Sequence, residues 1–193
     1  MRVVAGNLKG RRIAGPGEDG AEARLRPTSD RMREAIFNIL AHGDYPALDG
    51  ARVLDLFAGT GAMGIEAVSR GATSAVFVDN GREAWGLLKR NIETMGIGDR
   101  ARVVLTDATK FVPPGPPFDF VFCDAPYDRD LTQPVLNALA NGAALAPDAA
   151  IVVETGAEET FDLPPAFGMV SERRYGKGKI RILRVAESPA RDT

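Results

Sequence analysis

The stretch Arg52-Val53-Leu54-Asp55-Leu56-Phe57-Ala58-Gly59-Thr60-Gly61-Ala62-Met63-Gly64 constrains this chain more than any other. A short apolar run passes straight into a G-x-G-x-x-G turn and then into helical spacing over residues 62–70. That is how a strand enters a tight turn and opens a helix. The alternation continues downstream. Residues 75–79, 103–107, 118–124 and 150–154 read as strands, and residues 81–95 and 131–140 as helices, the first with Trp85, Leu88 and Ile92 on one stripe. The near-continuous apolarity of 118–124 suits a strand covered on both faces. Strands alternating with helices predict an α/β, Rossmann-like fold with a doubly wound, mostly parallel sheet.

The ends break this rhythm. Residues 168–185 read as a hairpin, 169–174 against 179–185, turning at Gly176-Lys177-Gly178. Residues 2–14 also read as a hairpin, with a turn near Gly6-Asn7, followed by a mobile loop over 15–25. Arg26-Pro27-Thr28-Ser29-Asp30 starts a helix that Thr28 or Ser29 can cap, with Met32, Ile36, Phe37 and Leu40 as its buried stripe. Residues 113–117 form a proline-rich connector. The expected division is a basic extension over 1–25, a main domain over 26–186 and a frayed tail over 187–193. At 193 residues the chain is long enough for one domain with a core of its own.

Charge is distributed unevenly. Residues 1–33 carry eight Arg/Lys against four Asp/Glu, a net +4, which leaves −6 for the other 160 of a chain whose total is −2. A second basic cluster holds Arg173, Arg174, Lys177, Lys179, Arg181 and Arg184. Two basic patches on an acidic protein predict a local polyanion-binding face. The single cysteine, Cys123, excludes an internal disulfide and fits a reducing compartment. The amino terminus has no signal-peptide pattern, and no apolar run approaches the roughly 20 residues that span a bilayer. A cytoplasmic location without membrane contact is expected.

Gly59, Gly61 and Gly64, with Asp79 twenty residues after Gly59 at the end of the next strand, form a dinucleotide-type fingerprint. Three features favour S-adenosylmethionine over a dinucleotide. Asp55 precedes the turn, where a carboxylate suits an amino-acid end and would repel a pyrophosphate. Asp107 ends the third strand, where it can accept from an adenine amine. A second domain for a dehydrogenase substrate is missing. With their neighbours Phe57, Asn80 and Ala108, these residues form the candidate cofactor set.

Asp124-Ala125-Pro126-Tyr127 follows the fourth strand, beside the switch point where open α/β sheets bind ligands. An exocyclic base amine is a poor nucleophile because its lone pair is delocalised into the ring. Two acceptors on its hydrogens, the Asp124 carboxylate and the Ala125 carbonyl, favour a more tetrahedral nitrogen and offset its developing charge. Pro126 stiffens the turn, and Tyr127 offers a stacking face for an extruded base.

These residues carry a family resemblance. Asp124–Tyr127 resembles the [Asp/Asn]-Pro-Pro-[Tyr/Phe] motif of amino-directed nucleic-acid methyltransferases. With the opening residues 2–11, residues 26–40 and residues 55–64, nearly the whole chain resembles the RsmD family. The resemblance implies a seven-stranded class I methyltransferase sheet with an antiparallel last strand and a small amino-terminal β-hairpin. It also implies transfer from S-adenosylmethionine to guanine N2 of 16S ribosomal RNA, on the small subunit or its assembly intermediate. Ala125 stands where the motif has its first proline. Arg2, Lys9, Arg11, Arg12, Arg26, Thr28, Arg31 and Arg33 are the expected RNA contacts. The expected state is a monomer without metal, since no His/Cys cluster has ligand spacing. Amine methylation of adenine, an NAD(P)-dependent oxidoreductase and a catalytically silent RNA-binding module are the alternatives. His42 reads as surface, Cys123 as packing, and Trp85 with the phenylalanines as core.

Overall fold

A computed structural model of the chain describes residues 1–15, 30–111, 115–127 and 129–186. In chain order it holds α1 (Asp30–His42), β1 (Arg52–Leu56), α2 (Ala62–Ser69), β2 (Ser74–Asp79), α3 (Arg82–Met95), β3 (Ala101–Leu105), β4 (Phe118–Asp124), α4 (Thr132–Asn141), β5 (Leu145–Gly156), β6 (Phe167–Tyr175) and β7 (Gly178–Val185). One seven-stranded sheet runs in the order β3-β2-β1-β4-β5-β7-β6. The first five strands in that order are parallel; β7 is antiparallel to both β5 and β6. Residues 16–25 of the expected 15–25 loop, the caps Thr28 and Ser29, part of the proline connector and the tail over 187–193 lie outside the described residues, as do Arg26 and Thr28 as RNA contacts.

Alternating side chains divide the core between the two faces of the sheet. Phe120 and Phe122 of β4, Val152 of β5 and Ile182 of β7 pack beneath α1, α2 and α3. Val121, Cys123, Ile151, Val153 and Leu183 face the other way, against Val135, Leu136 and Leu139 of α4. Apolar residues on both faces are what near-continuous hydrophobic strands require. Gly64 sets the α2–sheet distance: a Cβ there would lie 2.3 Å from Cε1 of Phe77 on β2.

Several expectations are corrected. β5 is longer than 150–154, because antiparallel pairing with β7 continues through Gly156↔Gly178 and Leu145 pairs back to Phe118. β3 ends at Leu105, leaving Asp107 in the turn beyond it. Trp85 is only half-buried, with the Lys89 ammonium 4.0 Å from its ring, while Ala84, Leu87, Asn91 and Met95 join Leu88 and Ile92 inside. At the amino terminus a single antiparallel bridge joins Arg2 and Arg12, and the chain between them turns through Gly6 and Gly10, both at φ +81°. Val3, Leu8 and Ile13 of this arm are buried in the main core.

The largest correction concerns Arg33. Helical spacing and charge place it on a phosphate-binding surface, yet it is fully buried on α1 beside Ile36 and Phe37. Its guanidinium pairs with the equally buried Glu66 of α2 at 3.4 Å, and bonds Asp30 at 3.0 Å and the Arg2 carbonyl. Glu66 also accepts from the Val4 and Ala5 amides at 2.8 and 2.9 Å, and from Arg70 at 2.8 Å. A carboxylate held from four sides in a dry interior exceeds its desolvation cost only while those partners stay. Replacing Glu66 with Ala leaves two amides and the Arg33 cation without their acceptor. We expect about 3–5 kcal/mol of destabilisation and a melting temperature lower by on the order of 10 °C, measured by thermal denaturation.

Candidate active site

Four strand ends meet at one edge of the sheet. The turn after β1, Phe57–Gly61, is drawn tight by the Gly61 amide donating to the Ala58 carbonyl at 2.7 Å. Gly59 and Gly61 take φ of 52° and 78°, which L side chains rarely adopt. A Cβ on Gly61 would also lie 2.6 Å from Leu88 of α3. Phe57, at φ 57°, is a bulky residue in the same left-handed region, and such strained residues cluster at functional sites.

Asp79 at the end of β2 joins this turn to the next. Its Oδ2 accepts from the Gly59 amide at 2.9 Å and its Oδ1 from the Gly81 amide at 2.8 Å. Each oxygen keeps a lone pair, so the half-buried carboxylate can still accept from hydroxyls. Asn80 beside it is exposed. Asp107, beyond β3, starts a short 3-10 turn and accepts from the Thr109 amide and hydroxyl at 2.9 and 2.8 Å. Those two hydrogen bonds, the hydroxyl's first, hold its carboxyl below the usual range. Ala108 is buried next to it.

Asp55 departs from its expected place. It is 3% exposed, with Oδ2 accepting from the Gly64 amide at 2.9 Å, so it secures the first turn of α2 from beneath. Burial pushes its pKa up to about 8; the Gly64 hydrogen bond opposes this and the Asp79 charge adds to it. Its side chain thus faces the backbone of α2 rather than the open surface of the turn.

Beyond β4, Asp124 is half-buried, Ala125 buried and Pro126 exposed. The Tyr127 hydroxyl donates to Glu154 Oε1 at 2.9 Å, and Glu154 is the register partner of Asp124 on β5. Pattern reading assigned Glu154 no role; its position at the carboxyl end of a parallel strand was the available signal. The Cys123 thiol is buried one residue before Asp124, and burial first, then the Asp124 charge, push it up to about 12, which leaves it inert as a nucleophile. His42 is exposed and its Nδ1 lies 2.8 Å from the Asn38 carbonyl.

The amino-terminal arm flanks the same edge. Asn91 of α3 bonds the Ala14 amide at 2.9 Å and the Thr60 carbonyl at 2.9 Å, while Asn7 reaches the Ser69 carbonyl at the far end of α2, roughly 12 Å of helix away. Arg11 is committed to α3, its guanidinium bonding the Thr94 and Met95 carbonyls that end that helix. Arg2 donates to the Gly10 carbonyl at 2.9 Å but stays exposed, as do Lys9, Arg12 and Arg31. The second basic cluster is partly consumed internally: Arg181 is buried against Glu172, Thr155 and the Glu159 carbonyl, and Arg184 reaches Asp44 and Asp148. Among the described residues no helix is long and apolar enough to cross a membrane, and no three His, Cys, Asp or Glu cluster as metal ligands.

A parallel sheet with an antiparallel β7, a glycine turn after β1 and an acidic tetrapeptide after β4 defines a Rossmann-like methyltransferase. The chain belongs to the RsmD family: residues 1–184 match the family described as Conserved hypothetical protein 95. It is 38% identical over 167 residues to ribosomal RNA small subunit methyltransferase D of Escherichia coli strain K12, spanning 86% of this chain and 80% of that one. The Haemophilus influenzae protein of the same name is 32% identical over 186 residues, 94% of this chain and 92% of that one. A solved structure from Escherichia coli superposes with a TM-score of 0.81 at 36% identity, over 96% of this chain and 97% of that chain.

The Asp55 environment has a measurable consequence. Its folded pKa lies above the unfolded value, so its contribution to stability is complete below about pH 4 and is lost as pH rises through about 8. Wild type should lose thermal stability between pH 5 and pH 9, and Asp55→Asn should flatten that decline. Equal slopes in both proteins would contradict the burial effect.

Proposed function

We propose that the protein transfers a methyl group from S-adenosylmethionine to the exocyclic N2 amine of a guanine in 16S ribosomal RNA. Its substrate on this reading is the small ribosomal subunit or an assembly intermediate, in the cytoplasm. The observation that carries this reading is Asp124–Tyr127 at the end of β4, one strand from the glycine turn of β1. The related Escherichia coli protein, named for ribosomal RNA of the small subunit, supports the substrate class.

The residues present fit the cofactor. Asp79 retains acceptor capacity for ribose hydroxyls, Asp107 for an adenine amine, and buried Ala108 can present its backbone beside it. Phe57, Gly59 and Gly61 give a turn whose backbone a ligand can approach closely. When bound, S-adenosylmethionine supplies an activated methyl on a sulfonium. The chain's own work is at the amine. Asp124 and the Ala125 carbonyl accept from its two hydrogens, localise its lone pair and offset the positive charge that develops on nitrogen. Tyr127 holds the base plane, and the exposed cations Arg2, Lys9, Arg12 and Arg31 meet phosphates.

Asp124→Ala should reduce methyl transfer to unmethylated 16S RNA particles by at least about a hundredfold, while calorimetry shows S-adenosylmethionine binding retained. Tritium incorporation from labelled cofactor measures the first quantity. Full transfer by the variant would sink the amine-activation scheme, and nicotinamide dinucleotide binding in place of S-adenosylmethionine would sink the reading as a whole. Neutralising Arg2, Arg12 and Arg31 together should weaken particle binding and lower the slope of log affinity against log salt by about two to three units.

A further inference from the structure

We propose that Glu154, together with the bare backbone of Gly178, positions the Tyr127 ring that receives the target base. The inference rests on the amine-methylation reading above. Tyr127 lies just past the end of β4 in irregular chain, where nothing in regular backbone pairing fixes its side chain. Two independent features fix it. The first is the hydrogen bond of 2.9 Å from its hydroxyl to Glu154 Oε1. The anchor of this hydrogen bond belongs to a central strand of the sheet, not to a loop.

The second is a seat left by the missing side chain of Gly178. Gly156 ends β5 and is the register partner of Gly178, which begins β7. A Cβ on Gly178 would stand 3.0 Å from the Tyr127 hydroxyl oxygen and 3.7 Å from Glu154 Oε1; one on Gly156 would stand 3.9 Å from Tyr127 Cδ2. Neither glycine has positive φ, so backbone conformation does not account for glycine at these positions. Space for the tyrosine accounts for Gly178; at Gly156 a Cβ would stand in ordinary van der Waals contact with the ring and with Glu159. Because Glu154 is the register partner of Asp124, the hydrogen bond holds the ring hydroxyl beside the strand position that carries the Asp124 carboxylate. Glu154 acts through Tyr127 and is a positioning residue.

The test is steady-state methyl transfer to an unmethylated small-subunit particle, with cofactor affinity and melting temperature measured alongside. Glu154→Ala and Tyr127→Phe should each lower kcat by on the order of ten- to a hundredfold, with little change in particle KM or in S-adenosylmethionine affinity. Glu154→Gln keeps an acceptor and should recover most of the rate. The double variant Glu154→Ala, Tyr127→Phe should be no slower than the slower single. Gly178→Ala, which crowds the hydroxyl while leaving both partners, should shift kcat in the same direction. Wild-type kcat in Glu154→Ala, losses that multiply in the double variant, or a change confined to melting temperature would each overturn the positioning role and leave the proposed activity standing. A wild-type protein that transfers no label to any ribosomal RNA would overturn both.

Discussion

A buried carboxylate has to find in the protein everything it gives up in water, and Glu66 finds it on three separate segments. It accepts from two amides of the amino-terminal arm, pairs with Arg33 of α1, and pairs with Arg70 one turn further along α2. Because α2 opens directly from the glycine turn, whatever locks α2 also locks Gly59 and Gly61. The arm is held at its other end by Asn91, which bonds both Ala14 and the Thr60 carbonyl. Ser69 completes the attachment, accepting from the Leu8 amide at 3.0 Å. The amino-terminal segment, expected as a hairpin, is thereby fastened along the full length of the helix that opens from the glycine turn.

The parts of this fold that were legible in the sequence are those set by local periodicity. Five parallel strands, four helices and the β6–β7 hairpin follow from apolar runs, amphipathic stripes and glycine turns, all of which act within a few residues. The positions of Asp79 and Asp107 follow from the same periodicity, Asp79 ending β2 and Asp107 lying two residues beyond β3. Arg33, Glu66 and Asn91 were not legible. Helical spacing sends charged residues to solvent, and only the approach of a segment 33 residues away makes Arg33 an interior residue. Glu154 was hidden in another way. It closes an ordinary apolar strand, and its meaning depends on a tyrosine delivered by the neighbouring one.

The same logic reshapes the basic surface. Composition counts charges without knowing which are already answered. Arg181, stacked 4.8 Å from the Phe161 ring and bonded to Glu172, stitches β7 to β6 and to the chain after β5. Arg11 closes the carboxyl end of α3, where the helix dipole favours a cation. What stays open to a polyanion is a narrower set, with Arg2 and Arg31 on the side of the arm that meets α1 through Asp30. The first residue of the arm reaches the glycine turn, with Met1 Sδ 3.8 Å from Thr60 Oγ1.

Ala125 can be judged on the same terms. A proline in its place would restrict the backbone before Pro126 and remove a donor, and both effects are entropic or local. The structure supplies restraint by other means. Ala125 is itself 3% exposed, packed at the end of a strand that is paired on both sides. Two residues later the chain is anchored again through the Tyr127–Glu154 hydrogen bond. Between two fixed points only two peptide units apart there is little freedom left for a second ring to remove. The acceptor in the proposed amine activation, the carbonyl of residue 125, is the same group whether the side chain is a ring or a methyl. Tertiary contacts can thus hold in this turn the rigidity that the family motif writes into the backbone.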